Sequence, residues 1–289
     1  MTGRVPRSGS LASRLLRRPA ARWSLVVIAL LVLAAVVGPP LWKYSPTEQP
    51  NIVGLKNAPP SHAHPFGTDA VSRDLLSRVL SGARISLGIS ALAVALAVTV
   101  GTAYGLVAGY VGGRLDTSMM RILDAFLSIP RVLLLIALAT LWKPMPFWEV
   151  AILIGATGWF GVSRLVRAET LAMRHATFVE AAQALGASTP RTLWRHILPN
   201  IAAPVIVFAT LAVGNVILLE SGLSYLGAGT SPPTASWGAI FYDGMDSSSS
   251  AWWVLLFPGM AILVTVLAFN TLGDALRDVL DPRGSPTTR

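Results

Sequence analysis

Few side chains in this 289-residue sequence stand where they could do chemistry. His62 and His64 form an HxH pair that could offer two imidazoles to a metal ion. Metal sites use three or four ligands, so this short spacing falls short of one. Cysteine is absent, which removes disulfides, thiolate ligands and a thiol nucleophile. No Ser/His/Asp set or carboxylate pair has a catalytic setting, so neither a catalytic nor a metal-ligating residue is expected. The GxxxxGKS/T pattern that cradles nucleotide phosphates is also missing. What remains are polar residues in or at the end of apolar runs: Asn215, Glu220 and Asn270. Such groups are pathway or gate candidates; their other role is helix–helix hydrogen bonding.

Those candidates need elements that carry them through a membrane. The sequence is 53% hydrophobic and 13% charged, with a mean hydropathy of +0.60. A soluble domain carries about 25% charged residues, and a disordered chain needs low hydrophobicity. Both classes are excluded. Helices that cross a bilayer need ~20 apolar residues, and the charge-poor runs place six near 23–42, 85–108, 128–147, 148–166, 201–221 and 252–272. The third and fourth need their flanking charges Arg131, Lys143, Glu149 and Arg164 to snorkel to the interface. Arg131 is expected close to the cytoplasmic interface. The first run is too long for a signal peptide and reads as a retained helix.

Charge sets the sidedness. The net charge is +9. A basic chain can bind nucleic acid, but in a membrane protein Lys and Arg collect in cytoplasmic loops and at lipid headgroups. Arg4, Arg7, Arg14, Arg17, Arg18 and Arg22 precede the first span; Arg114 and Arg121, then Arg167, Arg174, Arg191 and Arg195, then Arg277, Arg283 and Arg289 fall on the same side. The segment 222–251 has Asp243 and Asp246 but no Lys or Arg. Both termini are therefore expected in the cytoplasm, with lipid and not nucleic acid as the partner of the basic residues. Four spans would preserve this sidedness and remain the rival count.

The expected organisation follows. Residues 1–22 are a basic cytoplasmic segment and 23–42 the first span. Residues 43–84 are extracytoplasmic, irregular through Pro46, Pro50, Pro59, Pro60 and Pro65, then an amphipathic helix capped by Ser72 with Asp74 in its first turn. Residues 85–272 are the membrane core and 273–289 a cytoplasmic tail. A second amphipathic stretch covers 114–127. Gly101, Gly105 and Gly109 repeat as GxxxGxxxG, a signature of tight helix packing.

The most informative stretch is 177–200, TFVEAAQALGASTPRTLWRHILPN. Thr177 and Glu180 have capping-box spacing. Gly186 stands where a left-handed helix end is wanted. Thr189 and Pro190 suit a second helix start, which Pro199 and Asn200 are expected to end. Helix, sharp turn, helix is thus expected between two spans. Ala181, Ala182 and Ala184 make its first helix small enough to lie in another protein's groove.

At these residues the chain resembles the permease subunits of ABC importers. Glu180, Ala181, Ala182, Gly186, Leu198 and Pro199 match the EAA loop in register, with His196 in place of the usual Ile. Three further stretches resemble the dipeptide, oligopeptide and nickel permeases, C-type subunit. They are His64-Pro65-Phe66-Gly67-Thr68-Asp69 with Ser72-Arg73-Asp74 and Ser77-Arg78, then Glu220 to Gly227, then Gly273 to Arg283. The resemblance implies an all-α membrane protein: a six-transmembrane-helix ABC-importer permease bundle with a cytoplasmic coupling helix, in the bacterial cytoplasmic (inner) membrane. It implies ATPase coupling through Glu180, Ala181, Ala182, Ala184, Leu185 and Gly186. The implied partners are a paralogous permease subunit, two ATPase subunits and an extracytoplasmic solute-binding protein. ATP and Mg would belong to the ATPase subunits and no cofactor to this chain. A stand-alone channel or secondary transporter is the alternative function; it leaves the helix–Gly–helix unexplained.

Overall fold

The computed structural model describes residues 11–142, 145–231, 233, 235–245 and 250–280. Arg4, Arg7, Asp246, Lys143 and the Asp281-Pro282-Arg283 ending lie outside the described residues. The described residues form helices and irregular chain, with one isolated bridge between Thr68 and Asp74.

Helix α1 (Leu11–Leu16) leads into α2 (Pro19–Leu41), which packs on α3 (Leu75–Val111) and α11 (Trp253–Leu280). Leu15 and Ala21 pack against Ala275, Leu276 and Val279 of α11. Helix α3 differs from expectation: the amphipathic stretch and the second span are one continuous helix. Ser72 is not its cap, because its backbone sits at φ +65° and turns the chain early. Asp74 caps instead, accepting from Ser77 N at 2.8 Å. Between Leu75 and Ile85 there is no proline to break the ladder, so the surface helix runs straight into the membrane.

The third expected span is also corrected. Gly112 and Gly113 reverse the chain into α4 (Gly113–Leu127). Helix α5 covers only Arg131–Leu141, bent 73° from α4. Pro130 disfavours helical geometry at the residue before it, which ends α4. Eleven residues rise about 16 Å, short of the ~30 Å hydrocarbon core. Among the described residues five helical stretches are individually long and apolar enough to cross a membrane, six if α4 and α5 together make one broken span.

Helix α6 (Phe147–Met173) packs along α3, and this seam organises the fold. The three glycines of α3 are its contact points. A Cβ on Gly101 would sit 2.6 Å from Val162 Cβ, one on Gly105 2.8 Å from Val166 Cβ, and one on Gly109 2.8 Å from Thr170 Cβ. Backbones can approach this closely only without a side chain between them.

Helix α7 (Thr177–Ala184) is followed by a turn and by α8 (Thr189–Thr192), a π-helical turn (Leu193–Ile197) and α9 (Leu198–Tyr225). Pro199 and Asn200 therefore do not end a helix. Pro199 falls in the first turn of α9, and the wider π turn before it accommodates the missing N–H. Helix α10 (Trp237–Gly244), capped by Ser236, packs against α9 and α11.

Residues 43–74 fold over the α10 side of the bundle. Asp74 also accepts from Trp42 Nε1 and pairs with His64 Nδ1, both at 2.8 Å. Asp69 accepts from Arg73 Nε at 2.6 Å and Arg78 Nη1 at 2.8 Å, and Arg78 Nη2 reaches Asp243 at 2.7 Å. Phe66 stacks on Phe257 at 3.8 Å, and Trp253 Nε1 donates to the Thr68 carbonyl. His64 is thus committed to Asp74 and stacks on Tyr44. Among the described residues no group of three His, Asp or Glu could hold a metal ion.

Candidate functional site

Two places combine exposed or unpaired groups with a rigid support. The first is the α7 turn. Val179 is fully buried against Val162, Val166, Ile197 and Ile201, and Ala182 is buried beside it. Val179 joins the apolar cluster that also holds α6 and α9 residues, and α7 itself rests on α8 and the π turn. Glu180, Ala181, Ala184, Leu185 and Gly186 face outward, and Leu185 is 89% exposed. Phe178 is also exposed. A small apolar helix is therefore presented on a buried base.

The local caps differ from those expected. Ala176 is already extended and serves as the N-cap, so Thr177 is the first helical residue and makes no capping bond. Glu180 lies 4.0 Å from His175 instead of reaching back to the chain start. Ser188, not Thr189, caps α8. Gly186 does take the left-handed conformation, φ +84°, and a Cβ there would meet nothing within 4 Å. The turn needs glycine for its backbone and not for space. Gln183 Nε2 donates to Tyr110 Oη at 2.9 Å, tying α7 to the end of α3.

Beside this turn, Arg167 of α6 donates to both carboxylate oxygens of Asp116 on α4, at 2.5 and 2.6 Å. We read α4 as a surface helix. The Arg167 hydrogen bond holds the Asp116 carboxyl below its ordinary pKa, against the opposing effect of burial.

The second place is a cavity of about 100 Å³ inside the bundle, between α3, α5, α6 and α9. Arg131 and Asn215 line it together with Ala97, Ile154, Gly158 and Phe208. Arg131 turns its guanidinium towards α6. Its Nη2 donates to the Ile154 carbonyl at 2.8 Å and its Nε to Thr157 Oγ1 at 3.2 Å. Sequence reasoning missed this contact with α6, because it treated the charge only as the edge of an apolar run. A usable signal was present in α6: Gly155, Gly158 and Gly161 recur every three residues. A Cβ on Gly155 would sit 2.9 Å from the Ala93 carbonyl of α3, and one on Gly158 3.1 Å from Arg131 Nη2. One on Gly161 would sit 3.3 Å from Phe208.

The three intramembrane candidates do not converge. Asn215 is exposed on α9 and lines the cavity. Asn270 lies on α11 against α9, its Oδ1 3.3 Å from where a Gly214 Cβ would be. Glu220 is 1% exposed at the contact of α9 with α10, where Oε1 accepts from Ser224 at 2.8 Å and Ser236 at 2.5 Å.

Comparison with known proteins bears on these features. Residues 101–285 match the family model for the binding-protein-dependent transport system inner membrane component. Residues 10–60 match the N-terminal TM domain of oligopeptide transport permease C. The chain is 40% identical to the oligopeptide transport system permease protein OppC of Haemophilus influenzae over 93% of its own length and 86% of that protein. It is also 40% identical to the dipeptide transport system permease protein DppC of Bacillus subtilis, covering 93% and 84%. A chain of the MetNI methionine ABC transporter, in inward-facing conformations, shares the fold with a TM-score of 0.58 at 18% identity. It covers 71% of this chain and 97% of the transporter chain.

Proposed function

The chain belongs to the family of binding-protein-dependent transport system inner membrane components, and we propose that it is a permease subunit of an ATP-driven importer of peptides or related small solutes. It spans the inner membrane several times, contributes half of the translocation pathway and pairs with a paralogous permease. Two separate ATPase subunits bind the nucleotide and Mg, and an extracytoplasmic binding protein delivers solute. The termini and α7 face the cytoplasm, and α10 with residues 43–74 faces outward.

The single observation that carries this reading is α7. An apolar tip at Leu185, with Ala181 and Ala184 exposed beside it, stands on the buried Val179 and Ala182. Small residues let a partner's groove close over such a helix. Glu180, Ala181, Ala182, Ala184, Leu185 and Gly186 form the coupling element, with the outward members in the groove and Ala182 in the base. ATP binding closes the ATPase pair and carries α7 with it. Because Val179 packs on α6 and α9, the displacement reaches the seam and reorients the bundle. Net transport then requires different solute affinity in the two orientations. Asn215 lines the pathway, while Glu220 and Asn270 hold α9 to α10 and α11. A stand-alone channel or secondary transporter has no use for a protruding α7.

Affinity purification of this chain in detergent with the products of its neighbouring genes tests the reading. The expected result is co-purification of a second permease and ATPase subunits, lost in Glu180→Lys and Gly186→Pro variants that still insert into the membrane. A chain that purifies alone and moves solute without ATP would overturn it.

A further inference from the structure

The cavity at Arg131 contains an electrostatic imbalance. Among the described residues, no carboxylate lies within ion-pair distance of this guanidinium. Every other partner it has is neutral: the Ile154 carbonyl and the Thr157 hydroxyl, both on α6. Arg131 is half-buried in the bundle, and a cation there with only neutral acceptors faces the interior, pairs, or marks a solute route. Arg131 does the first, and the cavity stands open beside it.

The walls fit one chemical group. The Asn215 amide, on α9, has no protein hydrogen-bond partner among the described residues and brings a donor to the same cavity. Ala97, Ile154 and Phe208 make the rest apolar. Gly158 leaves the space the guanidinium occupies, since a Cβ there would stand 3.1 Å from Nη2 and 3.4 Å from Ala97 Cβ. The cavity, about 100 Å³, is several times the ~10–15 Å³ that one water needs, so it has room for a carboxylate. Guanidinium and carboxylate are matched in shape as well as charge.

We propose that this cavity is a subsite for the free carboxylate of the transported solute, held by Arg131 and Asn215. This rests on the permease reading above and narrows it: the solute carries a carboxylate terminus. The subsite supplies the missing negative charge while the solute is inside the bundle. Thr157 and the Ile154 carbonyl hold the guanidinium in place between passages.

The test uses the whole transporter, with its second permease, ATPase subunits and binding protein, in proteoliposomes supplied with ATP. The probes are tritiated trialanine and its C-terminal amide, each at a concentration that fills the binding protein. The wild type is expected to take up the free acid about tenfold faster than the amide, the lower end for one hydrogen bond to a charged group. Arg131→Gln is expected to lose that preference by slowing the acid and not the amide. Arg131→Lys keeps part of the preference, because the charge stays and the fork is lost. Should Arg131→Gln fail to assemble, Gly158→Ala decides: crowding the guanidinium lowers acid uptake about threefold and spares the amide. An equal fall for both probes makes Arg131 a strut and overturns the subsite. Equal wild-type uptake of the two probes overturns the subsite alone. No ATP-driven uptake of either probe overturns the peptide-import reading beneath it.

Discussion

Replacing Gly105 by alanine tests whether the α3–α6 seam is a backbone-on-backbone contact. The added Cβ would stand 2.5 Å from the Ser163 carbonyl oxygen, 2.8 Å from Val166 Cβ and 2.9 Å from Arg167 N. Carbon atoms settle at about 3.5–4.0 Å, so the helices must part by roughly 1 Å, enough to forfeit a quarter to a half of each affected contact. Overpacking of this kind costs about 1–3 kcal/mol. Alanine returns up to about 1 kcal/mol through its better helix propensity. The net expectation is a loss of about 1–2 kcal/mol, or roughly 2–8 °C in melting temperature on the scale of 150–250-residue domains. The control is Gly88→Ala on the same helix, where the Cβ would meet only Phe147 Cε2 at 4.0 Å; it is expected to be neutral or slightly stabilising. Thermal unfolding of both variants in one detergent, followed by intrinsic tryptophan fluorescence, reads the difference. A Gly105→Ala protein as stable as wild type, or a Gly88→Ala protein equally damaged, would refute the close-contact reasoning.

Three further outcomes are expected. Gly186→Ala forces a Cβ onto a φ of +84°, costing about 1–2 kcal/mol locally; binding-protein-stimulated ATP turnover of the assembled transporter should fall several-fold with global melting unchanged. Asp69→Ala strips one partner from Arg78, whose side chain is 2% exposed. With Asp243 still in place the cost is about 3 kcal/mol, the low end for breaking a buried pair, and limited proteolysis should cut 43–74 faster. The Asp116 carboxyl titrates lower folded than unfolded, so its contribution is complete above the ordinary carboxylate value of about 3.9 and is lost as pH falls through the folded pKa. Asp116→Asn should therefore lower stability at neutral pH and lessen the dependence below about pH 4, measured as unfolding midpoint against pH.

Apolar runs are strong signals where a helix has charges only at its ends, and α2, α9 and α11 are of this kind. Their helices extend beyond the charge-free windows because hydrogen-bond ladders do not stop at a hydropathy boundary. Helix α3 shows this most clearly: its amphipathic start and apolar body read as two elements, yet nothing between them breaks the backbone. Helix α5 failed in the opposite sense. Its window was apolar enough, but Pro130 and the 73° bend divide the polar and apolar halves into separate helices. Caps were legible as regions and not as residues, since Ala176, Ser188 and Asp74 take the extended geometry that decides which side chain faces the free N–H groups. Gly186 was legible because its role depends on its own backbone alone. Arg131 was not, because snorkelling outward and turning inward look identical in one dimension; only the position of Gly158 on another helix separates them.

The same contrast explains why the proposed work is divided along the chain as it is. A lever must not bend, and at Gly101, Gly105 and Gly109 the α3 backbone meets the α6 backbone and the stiff side chains of Val162, Val166 and Thr170 directly. Val179 shares an apolar cluster with Val162 and Val166 of α6 and Ile201 of α9, so in the proposed coupling a pull on α7 would be passed to the seam. Helix α5 is held differently. It is short, set at an angle to its predecessor, and anchored at its start by Arg131 across to Ile154 and Thr157. A carboxylate entering the cavity competes for the same guanidinium that ties α5 to α6. If the proposed subsite operates, solute occupancy and the seating of α5 are linked through this one side chain.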